Sequence, residues 1–596
     1  MGSRDAFTRG LSRARPWWPA EAVEAVRLGL TAIGAIYLAM ALQLQKPEWA
    51  GWTVLSVSLA TRASSLQKSL WRAVGSVCGG AVAIILVASF AQSTAAFDVA
   101  LALWLAFAAA AASVERGQRS YGWALLGFTV PIVTLGNVDQ PGLVFETAVD
   151  RCSTLLLGIA CAHASSVLVA RSVRTVGDGL AGSIAAAAAA CAEWLQAAAD
   201  GAEPGEPPVR QVLALDTAVA DTFTEQSSLR TGGRAVSDAP ARLLHVLAAG
   251  LLRLRLGARD AGDPAGLIGD QFGAAGTQLK RVRLAGRLLR EGRRIGVRHA
   301  PARPLAIDRD WRQAANNGVR TAVAVSLVNA FWYFSEWPSG GDAATWTALL
   351  SVLFAARADA ADAARNFMIG AALATVVGTV VHYTALTVSG HFTVLTAVLL
   401  PVCMLAALAR SDKRAAFGGG YAMVVLTIIS PDNVMQYRLD ATLNGVVADL
   451  LGMGVAVIAF TALPPPATPQ VRRRRAKRRM AGDVAAAARR PAILLPPVDR
   501  WLARMSDRLV QLAPDGPATA RHGLVVMLAG LLLLALRRDD DGLGREVGGF
   551  VTAGRGAALG RMALRPGLEP RQRDRIAALG ALLRTAELAD WPAAMA

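Results

Sequence analysis

Residues 51–62 read GWTVLSVSLATR, and residues 345–357 read TWTALLSVLFAAR. Each stretch opens an apolar run with a Trp-Thr pair, at Trp52 and at Trp346, which lie 294 positions apart, and each run ends at an arginine. A chain that repeats a phrase at this distance is expected to contain two related halves. Since arginine prefers the cytoplasmic edge of a membrane and tryptophan its interfaces, each run is predicted to cross from the outer to the inner face.

The composition is typical of a polytopic membrane protein. Of 596 residues, 54% are hydrophobic and only 18% are charged, yet the formal net charge is +18. Average soluble domains carry about 25% charged residues. The cations punctuate long apolar runs and do not cover one face, so nucleic acid is excluded as a partner.

Apolar runs of suitable length predict the membrane helices. The first half of the chain has six, near 26–43, 49–61, 73–92, 96–114, 121–137 and 153–170. The second half has six more, near 319–334, 344–356, 366–387, 391–409, 417–431 and 443–462. The second run of each set is short, so we expect it to be tilted, interrupted or buried among its neighbours.

The charges between these runs predict the topology. Cationic loops carry Arg62, Lys68 and Arg72, then Arg116 and Arg119, then Arg171 and Arg174, and in the second set Arg357 and Arg365, then Arg410, Lys413 and Arg414, then RRRRAKRR at 472–479. They alternate with loops that are acidic or nearly neutral. Because cationic loops stay in the cytoplasm, twelve spans with both termini inside are predicted.

The repeat extends beyond the Trp-Thr phrase. At an offset of 294, Gly158 matches Gly452, and at 293, Arg72 matches Arg365. Six helices separate the copies, so the two membrane halves are predicted to be parallel repeats.

The predicted fold class is all-α, with each membrane repeat followed by a cytoplasmic helical domain. The predicted domains are a basic tail (1–25), membrane repeat 1 (26–171), cytoplasmic domain 1 (172–311), membrane repeat 2 (312–465) and cytoplasmic domain 2 (466–596). The apolar run 524–536 is predicted to be a buried helix of a soluble bundle, because it is short for a span and resembles a stretch near residue 250 that contains arginines.

No enzyme signature is present. The sequence lacks GxxxxGK[ST], HExxH and GxSxG motifs. Its 5 cysteines and 6 histidines form no CxxC pair or Cys/His cluster. The sequence therefore predicts neither catalysis nor a cofactor, and no metal site.

Two acidic residues are candidates for proton coupling. Asp449 lies inside the twelfth predicted span, where a carboxylate usually faces a cavity, pairs with a cation or carries protons. A structural hydrogen bond is the alternative for Asp449, and its repeat mate is Leu155. Asp150 is the second candidate, with an interfacial pair to Arg151 as its alternative.

The predicted substrate path contains arginine, aromatic and hydroxyl side chains. Arg72 and Arg365 each begin a glycine-bearing helix, where a guanidinium can bind a carboxylate or can simply mark the cytoplasmic boundary. Tyr121 either stacks on an aromatic ligand or anchors the inner interface. Thr129 is followed in the same predicted helix by Pro131, and a proline there frees a backbone carbonyl. The remaining path residues are Trp52 and Trp346.

The pattern R…P-x-W-A-x-W-T…R-x-x-G resembles the fusaric acid resistance family, also called aromatic acid exporters. Here it comprises Arg27, Pro47, Trp49, Trp52, Thr53, Arg72 and Gly75. Further matching elements are Arg116, Arg119, Tyr121, Gly127 and Thr129, and then Arg151, Leu157, Gly158 and Ile159. The resemblance implies inner-membrane export of aromatic carboxylic acids, often with a periplasmic membrane-fusion protein and an outer-membrane channel as partners.

Two other functions stay open at this point. One is a passive organic-anion channel, since plant malate channels are distantly similar in layout. The other is a non-transporting membrane scaffold whose cytoplasmic bundles bind partners. A homo-oligomer also stays open. The favoured prediction is a proton-driven exporter of small, aromatic organic anions in contact with membrane lipid.

Overall fold

The structure is a computed structural model. It describes residues 20–58, 62–115, 117–137, 140–170, 176–200, 310–357, 359–387, 391–411, 416–463, 469–512, 517–585 and 588, with 207–209, 211–212, 214–215, 239–240, 242–244, 246–247, 280 and 282 in the long middle segment. Regular structure in these residues is helical.

The helices are numbered along the chain. The first half contains α1 (Ala20–Ala41), α2 (Glu48–Val57), α3 (Arg62–Phe90), α4 (Thr94–Val114), α5 (Gly117–Thr134) and α6 (Val144–Ala170). Helix α7 (Val176–Ala199) follows. The second half contains α8 (Trp311–Ser335), α9 (Gly340–Leu353), α10 (Ala360–Val380), α11 (Phe392–Ser411), α12 (Gly418–Ile429) and α13 (Leu439–Ala462). The chain continues with α14 (Pro469–Arg489), α15 (Val498–Leu512), α16 (Pro517–Asp539), α17 (Asp541–Thr552), α18 (Gly556–Met562) and α19 (Pro570–Leu582).

Local signals explain several helix ends. The Ser93 hydroxyl accepts a bond from the Ala96 amide at 3.3 Å and caps α4. The Asp310 carboxylate accepts a bond from the Gln313 amide at 3.2 Å and caps α8. Such caps satisfy backbone N–H groups that lack a helical partner. Helix α8 ends at Glu336, whose positive φ of 50° turns the chain out of the helix.

The chain divides into two compact units. The first comprises residues 1–174 and 309–466, and the second comprises residues 175–308 and 467–596. In the second unit, side chains from both of its segments share a hydrophobic core, for example Trp194 and Trp501. The segments predicted as two cytoplasmic domains are therefore grouped in one unit.

Seven helices of the described part are long and apolar enough to cross a membrane. Six belong to the first unit, and in each of these helices between 28% and 44% of the most apolar 18-residue stretch is buried. In the seventh, Thr519–Asp539 in α16, 83% of that stretch is buried inside the protein. A helix covered by protein in this way has little surface for lipid, which favours the predicted role as a core helix, although α16 is longer than its apolar run suggested.

The short second helix of each half is buried. Helix α2 has 10 residues and α9 has 14, and most of their side chains are inaccessible to solvent. At 1.5 Å per residue, α2 is about 15 Å long, half the thickness of a bilayer core. The expectation that these segments lie among their neighbours is confirmed.

Helix contacts recur in the two halves. Contacts of α1 with α2 and α6, of α2 with α6, and of α3 with α5 and α6 have counterparts in α8 with α9 and α13, α9 with α13, and α10 with α12 and α13. Contacts between the halves are reciprocal, because α1 packs on α11 as α4 packs on α8, and α2 packs on α12 as α5 packs on α9.

Matching glycines allow matching close approaches. A Cβ atom at Gly158 of α6 would lie 2.5 Å from the carbonyl oxygen of Ala50 in α2. A Cβ atom at Gly452 of α13 would lie 2.1 Å from the carbonyl oxygen of Ala343 in α9. Only glycine permits these distances, so the sequence match between Gly158 and Gly452 has a structural cause.

Several helices begin earlier than predicted, among them α3, α6, α8 and α10. Helix α3 begins at Arg62 and not near residue 73, so Lys68 and Arg72 are helical and do not form a loop. Helix α6 begins at Val144 and not near residue 153, which places Arg151 inside it. Hydropathy ends a predicted helix where charged side chains begin, whereas the backbone continues as long as its hydrogen bonds are made.

Candidate functional site

Arg72 is held by three helices in the interior of the first unit. It lies on α3, about 15 Å along the axis from the first helical residue, and only 1% of its surface is exposed. Its Nη1 donates to the Tyr121 hydroxyl on α5, and its Nη2 donates to Thr53 Oγ1 on α2 at 3.2 Å. Its Cζ lies 4.7 Å from the ring centre of Trp52. Tyr121 therefore positions Arg72.

Arg151 is a second buried arginine, on α6, with 2% of its surface exposed. Its Cζ lies 4.7 Å from the ring centre of Trp49. Its Nε and Nη2 atoms are buried without a hydrogen-bond partner among the described groups. The alternative reading of Asp150 as an ion-pair partner of Arg151 has no support, because the ion pairs of the described residues do not include one between them and neighbouring residues of a helix point about 100° apart.

The two tryptophans of α2 each cover one guanidinium. Trp49 and Trp52 are three residues apart and thus share a helix face, and each ring lies against one arginine. Trp52 is 9% exposed, as is Trp346. Both rings are therefore covered by protein and have little surface for lipid.

Among the described residues, no acidic side chain forms an ion pair with the two buried arginines, Arg72 and Arg151. The two guanidinium groups repel each other electrostatically. Stacking on an aromatic face is worth about 0.5–2 kcal/mol per cation. That is less than the several kcal/mol that burying an ion costs, so the arrangement favours an anionic ligand.

Hydroxyl groups continue the polar surface along α3 and α5. Ser76, one turn after Arg72, and Thr129 on α5 are buried, and both oxygens lack a hydrogen-bond partner in the described part of the protein. A Cβ at Gly79 would lie 2.8 Å from the Cβ of Thr129, so the helices touch there. Thr129 thus lies at the α3–α5 interface, which also contains Arg72.

A cavity of about 580 Å³ lies between the end of α3 and the start of α6. Its wall includes Val87 and Val144. Val144 precedes Arg151 by seven residues, about two helical turns, and so lies on the same stripe of α6. The cavity is therefore aligned with the helix face that carries Arg151.

The second half has a phenylalanine in the position of Arg72. A Cβ at Gly75 would lie 2.6 Å from the Gly122 carbonyl oxygen, and one at Gly370 would lie 2.0 Å from that of Phe417. These glycines are equivalent in packing and differ by 295 positions. The residue three positions before Gly370 is Phe367, whose ring lies 6.2 Å from that of Trp346, as Arg72 lies on Trp52.

Arg365 is therefore not equivalent to Arg72 in space. A shift of two residues rotates a helical side chain by about 200°. Arg365 is 62% exposed and lies 3.9 Å from Asp362 on its own helix. The structure does not bring Arg365 to the buried site.

Acidic side chains accompany Trp346. Asp449 of α13 interacts with the Trp346 side chain and with the carboxylate of Asp342. No hydrogen bond or ion pair described by the structure joins Asp449 to Arg72 or Arg151. Asp150 lies elsewhere, beside Glu146 on α6. The two predicted proton-coupling residues are thus on separate helices with different neighbours.

Comparing the sequences of the two halves did not reveal one matched pair of acidic residues. Glu48 and Asp342 precede Trp52 and Trp346 by four residues each, and both interact electrostatically with Lys46. Glu48 is 3% exposed. Among the described residues, no group of three or more His, Cys, Asp or Glu side chains is placed to hold a metal ion.

The sequence profile of the fusaric acid resistance protein family matches residues 22–267 and 270–593. The chain belongs to this family. It is 25% identical to a p-hydroxybenzoic acid efflux pump subunit, AaeB, of Edwardsiella tarda, covering 74% of this chain and 76% of that protein. It is 23% identical to the AaeB of Edwardsiella ictaluri, covering 73% and 75%. An uncharacterized transporter of Gluconobacter oxydans is 26% identical, covering 60% of this chain and 58% of that protein. No solved structure matches.

The predicted family is confirmed, and with it the prediction of a transport protein and not an enzyme. Arg151 and Trp49 of this chain were not among the predicted path residues. Their signal was present, because Arg151 belongs to the motif that carries the resemblance and Trp49 lies three residues before Trp52. The predicted start of the sixth span near residue 153 had placed Arg151 outside the membrane.

Proposed function

We propose that this protein is an inner-membrane efflux transporter for small aromatic carboxylic acids. The observation that carries the proposal is the pair of buried guanidinium groups, Arg72 and Arg151, which stack on tryptophans and lack a described carboxylate partner. A guanidinium pairs with a carboxylate, and an indole face suits an aromatic ring. The names of the Edwardsiella relatives support the same substrate class.

The membrane arrangement in this proposal is two parallel repeats of six helices, with twelve spans and both termini in the cytoplasm. Recurring helix contacts and the matched glycines Gly158 and Gly452 support the repeat. The alternation of cationic loops supports the orientation. In this arrangement the short helices α2 and α9 each form part of one of the twelve spans.

Proton coupling is assigned in this proposal to Asp449, and Asp150 is the weaker candidate. Asp449 lies on an apolar helix and shares its surroundings with the carboxylate of Asp342. Two neighbouring carboxylates favour the uptake of one proton, because like charges repel. Asp150 has an acidic neighbour too, Glu146, but lies near the start of α6, where water is closer.

Partner proteins also belong to the proposal. The Edwardsiella relatives are named as subunits of a pump. A periplasmic membrane-fusion protein and an outer-membrane channel are the partners that an exporter needs to move its substrate past the periplasm.

The test is flux of p-hydroxybenzoate in proteoliposomes that contain the purified protein alone, with and without an imposed pH gradient. Accumulation against the substrate gradient that requires the pH difference is expected. Flux that only dissipates the substrate gradient would identify a passive anion channel. Absence of flux with the protein correctly inserted would contradict autonomous transport and favour the scaffold.

A further inference from the structure

The second unit shows how this chain stabilises a buried arginine for structural purposes. Arg537 is 1% exposed. Its Nη1 donates to the carbonyl oxygens of Ala487 at 2.8 Å and Ala488 at 2.6 Å. Its Nε and Nη2 donate to Asp541 Oδ1 at 2.8 and 2.6 Å. Every edge of the guanidinium therefore has an acceptor, as expected for a buried charge.

Arg151 is equally buried but lacks such acceptors. The two nitrogens without a partner are Nε and Nη2. These atoms lie on one side of the guanidinium and form the edge that binds a carboxylate through two parallel hydrogen bonds. In Arg537 this same edge faces the carboxylate of Asp541. In Arg151 it faces no described carboxylate.

Arg72 contributes differently. Both of its terminal nitrogens already donate, to Tyr121 and to Thr53, which leaves only Nε without a partner. The guanidinium of Arg72 is thus already held by two protein acceptors, whereas the Nε and Nη2 atoms of Arg151 have no described acceptor. Arg72 adds positive charge near Arg151 and thereby increases the attraction of the site for an anion.

We propose that the Nε–Nη2 edge of Arg151 binds the carboxylate group of the transported acid, with Trp49 holding the guanidinium plane and Arg72 supplying the second positive charge. This assignment rests on the proposed export of aromatic acids. The ligand class is a planar aromatic acid in its carboxylate form. An uncharged amide of the same shape lacks the second acceptor oxygen and the negative charge, so the site discriminates against it.

The test compares p-hydroxybenzoate with p-hydroxybenzamide as inhibitors of p-hydroxybenzoate flux, and takes the ratio of their inhibition constants. Arg151→Lys keeps the charge and removes the fork, and Arg151→Gln removes the charge. Loss of a charge-assisted pair weakens binding about tenfold to a hundredfold. We expect KM to rise by that factor and the acid-to-amide ratio to fall towards one in Arg151→Gln. The matched control is Arg365→Lys at the exposed position.

The outcomes separate this assignment from the proposed function. If the wild-type protein neither transports nor binds p-hydroxybenzoate, the proposed function fails. If the wild type transports it and folded Arg151 variants keep the wild-type ratio, only the Arg151 assignment is overturned. Should both Arg151 variants fail to fold, Trp49→Leu takes their place, and an unchanged KM in that protein overturns the assignment.

Discussion

The two halves of the first unit share a backbone arrangement but have different chemistry at the equivalent place. In the first half, Trp52 lies against Arg72, and in the second, Trp346 lies against Phe367. The glycines that bring the helices together are retained, whereas the charge is not. The recurring helix contacts therefore account for the packing, whereas the side chains at the equivalent place differ in charge. Asp449 lies beside the second tryptophan, and Leu155 occupies the matching position in the first half.

The largest expected effect comes from making the first half resemble the second with Arg72→Phe. The variant places an aromatic ring against Trp52 and removes a buried positive charge from the anion site. Transport of p-hydroxybenzoate in proteoliposomes should fall about a hundredfold, since hydrogen bonds to charged groups are worth up to about 3 kcal/mol.

The matched control for Arg72→Phe is Arg365→Phe. Arg365 is exposed and lies near Asp362 on the surface, so its replacement should leave transport within about twofold, because exposed ion pairs contribute little. Equal losses in the two variants would mean that the sequence repeat, and not the packing equivalence with Phe367, identifies the functional positions.

The shared frame can be broken equally in both halves with Gly158→Ala and Gly452→Ala. Each added methyl group meets a backbone carbonyl oxygen, at 2.5 and 2.1 Å. Each variant should lower the free energy of unfolding by about 2 kcal/mol, within the 1–3 kcal/mol typical of overpacking. Thermal unfolding of the purified protein in detergent measures the change.

Gly454→Ala is the control for this pair, because a Cβ there has no neighbour within 4 Å. It should leave stability unchanged or raise it slightly, since alanine stabilises a helix interior. A drop in stability in one half only would show that the two halves do not use the same close approach.

How much the sequence could predict depends on the kind of signal. Hydropathy and alternating charge predicted an all-helical membrane protein, and the motif around Trp52 predicted the family, because these signals are averaged over many residues. The short helices α2 and α9 were expected to be buried, since they are too short to cross alone. These predictions required no knowledge of individual contacts.

Individual site residues were predicted less well, for two physical reasons. Charged side chains near the starts of helices made the predicted spans begin too late, which made Arg72 a loop residue and left Arg151 outside the membrane. A two-residue difference in helix register also misled the match of Arg72 with Arg365, because sequence offset does not report which face of a helix a side chain occupies. Phe367 has no sequence similarity to Arg72 and could be recognised only through Gly75 and Gly370.

Asp449 has no acidic counterpart in the first half, where Leu155 occupies the matching position, and this difference gives a further test of the role of the second half. In Asp449→Asn, downhill flux should persist while accumulation driven by the pH gradient is lost. For one proton per substrate, a gradient of one pH unit supports about tenfold accumulation, equivalent to 1.36 kcal/mol, so the ratio should fall from about ten to about one. Asp150→Asn is the comparison and should retain accumulation. Coupling of wild-type strength in Asp449→Asn would remove this residue from the mechanism.

The smallest expected effects come from the two threonines that follow the repeated tryptophans. Thr53 Oγ1 accepts a bond from Arg72 Nη2 at 3.2 Å. Thr347 Oγ1 instead donates to backbone, at 2.8 Å from the Ala343 oxygen and 2.9 Å from that of Gly452. The same residue type at the equivalent position thus positions an arginine in one half and joins two helices in the other.

Replacement of each threonine by valine should therefore change different quantities. Thr53→Val frees one guanidinium nitrogen and should raise KM for p-hydroxybenzoate about threefold, because a neutral acceptor is worth about 0.5–1.5 kcal/mol. Thr347→Val should lower the free energy of unfolding by about 1 kcal/mol and leave KM unchanged. Measuring KM and thermal stability for both proteins separates the roles. If both variants change KM alike, the second half also contacts substrate at its tryptophan, and the division of labour between the halves is wrong.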